Sequence, residues 1–75
     1  STLVRLQNSI VNSQIQFRSG ADGQYQLIDQ QGRLLQKGNF NKGWVNIPAS
    51  KLPEGLIFMI ILTTQGQHNF KLIKQ

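Results

Sequence analysis

The sequence predicts an all-β protein, an antiparallel β-sandwich or a small barrel. Three observations lead there. No segment sustains the apolar period of about 3.6 residues that marks an amphipathic helix. Residues 14–18 and 24–29 instead alternate apolar and polar side chains, the pattern of half-buried strands. Clusters of Gly, Asn, Asp, Ser and Pro recur between such stretches. They cut the chain into about six or seven short strands, spaced about 8–12 residues apart.

The first strand is expected within residues 2–6, and Gln7-Asn8-Ser9 reads as a loop. In residues 14–18, Ile15 and Phe17 share one face, and Gln14, Gln16 and Arg18 the other. Residues 19–23, Ser-Gly-Ala-Asp-Gly, form a turn by composition. Residues 24–29 turn Tyr25 and Leu27 inward. Asp29-Gln30-Gln31-Gly32 follows as a type I turn. Asp suits its first position, where the carboxylate accepts a backbone N–H, and Gly suits its last. Residues 33–38 return as the second arm of a hairpin.

Residues 39–43 read as a turn, and Trp44-Val45-Asn46-Ile47 as a short strand ended by Pro48. Residues 50–55 are expected to bend tightly, with Leu52 tucked into the core. Leu56-Ile57-Phe58-Met59-Ile60-Ile61-Leu62 is an unbroken apolar run. It is far shorter than the about 20 residues of a membrane helix, and its branched and aromatic side chains favour a strand. Leu56, Phe58, Ile60 and Leu62 then line one face, and Ile57, Met59 and Ile61 the other. Both faces are apolar, so the second face must be covered or must meet a partner. Gln65-Gly66 makes a turn, and residues 68–74 form the last arm.

With 75 residues there is room for one domain, residues 1–75. A chain this short buries only about 60% of its unfolded surface, so its core is marginal. It has no cysteine and one histidine, which leaves no ligand set for structural zinc. It begins at Ser1 and carries no stretch that reads as a signal peptide or membrane span. It is therefore expected to be cut from a longer polypeptide. Eight Lys and Arg against three Asp and Glu give a net charge of +5. The basic residues are scattered and never adjacent, which argues against a nucleic-acid interface. Scatter fits solubility, or weak attraction to an acidic surface.

Catalytic chemistry is hard to assemble from this chain. General acid–base work needs two groups converging on a substrate. Asp22 and Asp29 sit in turns and Glu54 in a bend. His68 reads as solvent-facing, with no second His or Cys to share a metal. No Gly-rich phosphate loop precedes a helix. The expectation is a protein without catalytic residues, metal or cofactor. Phe17, Phe58 and Tyr25 are expected to fill the core. Trp44, beside Gly43 and Lys42, is placed by its context neither in the core nor on the surface.

Three motifs in order carry a resemblance. They are Tyr25-x-Leu27-x-Asp29-x-x-Gly32-Arg33-Leu34-Leu35, then Leu52-Pro53-x-Gly55 before the apolar run, then Lys71-Leu72-Ile73-Lys74-Gln75 at the end. Together they resemble the C-terminal sorting domain of proteins exported by the type IX (Por) secretion system of Gram-negative Bacteroidetes. The resemblance spans residues 6–75. Where that family often has Pro-Asn-Pro, this chain has Gln7-Asn8-Ser9. Ile57 stands at a frequent Tyr position and Ile60 at a frequently basic one.

The resemblance implies a seven-stranded immunoglobulin-like sandwich that acts as a secretion signal. Its partners would be the outer-membrane translocon, its shuttle protein and a sortase-like protease. It would travel through the periplasm to the outer membrane, cell surface or medium. Recognition is expected at Asp29, Gly32 and Arg33 of the hairpin tip, at Gly55, and at Lys71, Leu72, Ile73, Lys74 and Gln75. Arg33 offers a forked donor to a partner carboxylate, and the terminal strand can extend a partner's sheet or exchange into a dimer. Another class of function is an ancillary carbohydrate- or protein-binding sandwich using Lys42, Trp44 and Asn46.

Overall fold

The structure, a computed structural model, describes residues 4–6 and 9–75. Every regular element in them is a strand. In chain order these are β1 (Val4–Leu6), β2 (Ile10–Val11), β3 (Gln14–Ser19), β4 (Gly23–Asp29), β5 (Leu34–Phe40), β6 (Gly43–Pro48), β7 (Gly55–Thr63) and β8 (Gly66–Lys74). One sheet has the order β1-β3-β6, the other β2-β8-β7-β4-β5. The chain changes sheet after β1, β2, β3, β5 and β6, so the two layers of the sandwich interleave along the sequence.

Alternation explains the core. From the three-stranded sheet, Ile15, Phe17, Val45 and Ile47 are buried. From the five-stranded sheet, Leu27, Ile57, Met59, Ile61 and Leu72 are buried, and all join one cluster. In each strand these positions differ by two, so one pleat face supplies them. Leu52 is buried in its bend, whose backbone closes through the Leu52 N–H donating to the Ala49 carbonyl at 3.1 Å.

Several expectations need correction. Residues 39 and 40 belong to β5, not to a turn. Phe40 is buried, and its ring meets Phe17 edge-on at 5.1 Å. Core contact there outweighs the local pull of Asn39 and Asn41 toward a turn. The Lys42 N–H donates to Asp22 Oδ1 at 2.7 Å, tying that corner to the turn between β3 and β4. Phe58 lies on the outer face, 37% exposed, and does not fill the core. The parity of β7 separates it from Ile57 and Met59.

Strand β2 was not foreseen. It pairs parallel with β8, Ile10 beside Ile73 and Val11 beside Lys74, so the sandwich is not wholly antiparallel. Two residues are too few to show a period. The last turn is Thr64-Gln65, with β8 starting at Gly66. Of the expected first strand and loop, Thr2, Leu3, Gln7 and Asn8 lie outside the described residues.

Candidate functional site

The hairpin joining β4 to β5 is built around one carboxylate. Asp29 Oδ1 accepts the backbone N–H of Gln31 and that of Arg33, both at 2.9 Å. Asp29 Oδ2 accepts Arg33 Nε–H at 2.8 Å. The Gly32 N–H donates to the Asp29 carbonyl at 3.1 Å, and the Asp29 N–H to the Arg33 carbonyl at 3.0 Å. This is the type I turn followed by a left-handed residue that the sequence predicts, with Gly32 at φ 83°. The Arg33 backbone N–H, helped by its guanidinium and by the Gln31 N–H, holds the Asp29 carboxyl below its ordinary 3.8, against a smaller opposing effect of burial.

Arg33 is therefore first of all a turn residue. Its side chain remains 74% exposed, and only Nε is engaged. The terminal nitrogens of the fork point to no carboxylate among the described residues.

Strand register carries the hairpin to the other expected residues. Asp29 lies beside Ile57, and Ile57 beside Leu72. Gly55, at φ 114°, opens β7 beside Lys74. The Gln75 N–H donates to the Val11 carbonyl at 2.9 Å, so β2 clamps the last residue. Asp29, Gly32, Arg33, Gly55 and residues 71–75 thus gather at one end of the five-stranded sheet.

They do not all face outward. Lys71 and Ile73 are exposed on the outer face. Leu72 and Lys74 point inward and are buried, and Lys74 Nζ donates to the Gln75 carbonyl at 2.9 Å. In the folded domain a partner reaches Lys71 and Ile73, not Leu72.

Sequence reasoning missed one part of this surface. Phe58 sits beside Lys71 on one side and Ile28 on the other. Phe58, Ile28, Ile60 and Asn69 border a shallow groove of about 360 Å³ that runs to Gly32. A second groove of about 280 Å³ lies between Arg33 and the Pro53-Glu54 bend. The unbroken apolar run was the signal for an exposed face, but it did not say which residues would lie there.

No three His, Asp or Glu side chains among the described residues gather as a metal site. His68 is half-buried rather than solvent-facing, and it lies opposite Ile61. Trp44 is exposed on the outer face of the other sheet. Compared with known proteins, the chain matches no family model and no curated protein.

Proposed function

We propose that this domain is a folded secretion signal, read by the type IX outer-membrane translocon and its shuttle protein. A sortase-like protease then separates it from its cargo. The observation that supports this reading is the gathering of the three motifs, distant in sequence, at one end of one sheet. The outward surface there combines cationic donors, Arg33 and Lys71, with the apolar side chains of Phe58 and Ile73. Such a mixture suits recognition by a protein, with apolar contact for affinity and charge for specificity.

The test is a graft. Residues 1–75 are fused behind a folded fluorescent reporter and expressed in a bacterium with an active type IX system. The reporter should reach the surface or medium, and it should stay in the periplasm when the translocon is deleted. Periplasmic retention in cells that export their own cargo normally would sink the proposal.

A further inference from the structure

The outer face of the three-stranded sheet has a different chemistry. Strands β1, β3 and β6 contain no Asp or Glu. Alternation sends Gln14, Gln16 and Arg18 of β3 outward, with Trp44, Asn46 and Pro48 of β6. Register sets Gln16 beside Asn46 and Arg18 beside Trp44. The indole is 65% exposed. The Arg18 guanidinium carbon lies 5.9 Å from the ring centroid, within cation–π range. Arg18 meets no carboxylate among the described residues.

Each group has a matching ligand feature. An exposed indole offers an apolar plane to the C–H face of a pyranose. The amides of Gln16 and Asn46 each carry donors and an acceptor, the inventory that paired hydroxyls require. A guanidinium held near an aromatic ring keeps N–H donors with which it can bind a carboxylate as a fork. The net charge of +5 adds a long-range attraction for anions.

We propose that this face binds an acidic polysaccharide. One sugar packs on Trp44, its hydroxyls pair with Gln16 and Asn46, and a uronate-type carboxylate meets Arg18. Single-stranded nucleic acid is the competing anionic polymer. It demands successive stacking rings and a track of cations along the backbone. Here Trp44 is the one exposed ring of β3 and β6, and its neighbours on those strands are one cation, Arg18, and the amides of Gln16 and Asn46. The site lies on the sheet opposite the export end, so either reading can fail alone.

Trp44 is the sole tryptophan, so its emission reports on the site directly. The 75-residue protein is titrated with oligogalacturonate, maltoheptaose and oligothymidylate. Oligogalacturonate should give a saturable emission change, with maltoheptaose at least about tenfold weaker for lack of a carboxylate. Calorimetry should show oligogalacturonate binding lost in Trp44→Ala and weakened about tenfold in Arg18→Gln. Asn46→Ala should weaken it less. All three positions are exposed, and melting curves identify any variant that unfolds. No saturable change with oligogalacturonate up to about 10 mM would overturn the proposal. So would equal binding of maltoheptaose, tighter binding of oligothymidylate, or parent-like binding by folded Arg18→Gln and Trp44→Ala.

Discussion

Asp29 does three jobs with two oxygens, and all three act on the same five residues. Two backbone N–H groups at a tight corner would otherwise depend on water, and the carboxylate is strongest for them when ionised. Because folding lowers its pKa, its contribution is complete above the ordinary 3.8 and is lost as pH falls through the lowered value. Asp29→Asn should therefore lower Tm at neutral pH and flatten the fall in Tm between about pH 5 and pH 2. Thermal melts across that range check it, and an unchanged acid slope would remove Asp29 as the origin. At Gly38 the constraint is steric. It lies opposite Tyr25, and a Cβ there would come within 2.8 Å of the Tyr25 ring. The Tyr25 hydroxyl also accepts Gln36 Nε2–H at 3.0 Å, which holds the ring in place. Gly38→Val should cost about 1–3 kcal/mol in urea unfolding, as overpacking does. The turn was legible in the sequence because Asp and Gly act on their own backbone neighbours. The Tyr25–Gly38 contact was not, since register brings it about.

Strand β7 shows the same limit at the scale of an element. Its seven-residue apolar run divides into two faces by parity alone, but parity does not say which face is covered. Ile57, Met59 and Ile61 face the other sheet and are buried. Leu56, Phe58, Ile60 and Leu62 face outward, and Phe58 and Leu62 are each 37% exposed. Exposed apolar side chains grouped on one face mark a contact surface more often than scattered ones do. Met59→Ala should cost about 2–5 kcal/mol, the range for a cavity left in a packed core. Phe58→Ser should cost less than about 1 kcal/mol. It should nevertheless impair export of a fused reporter, if the outer groove meets the translocon. Equal destabilisation by both changes would contradict the burial of β7.

At the scale of the whole molecule, the chain end locks the sandwich. Strand β8 pairs along its length with β7, and its last residues also hold β2. Ile73 N–H donates to the Ser9 carbonyl at 2.8 Å and Gln75 N–H to that of Val11 at 2.9 Å. Deleting residues 70–75 removes buried Leu72 together with these bonds. A small domain has little margin, so Tm should fall by more than about 10 °C. Calorimetry checks it, and a nearly unchanged Tm would show that the sandwich closes without its last strand end. Export of cargo carrying the truncated domain should fail as well.

Local chemistry alone determined that this chain is all-β, where most strands alternate, and that Asp29 and Gly32 make a hairpin turn. Alternation and turn geometry are properties of neighbours in the chain, so they can be read without knowing the fold. The tertiary structure decided that Phe40 is core and Phe58 is surface, that β2 joins β8, and that motifs far apart in sequence share one sheet end. Those outcomes depend on which sheet lies opposite which face, and a strand apolar on both faces, as β7 is, does not show in its sequence which face is covered.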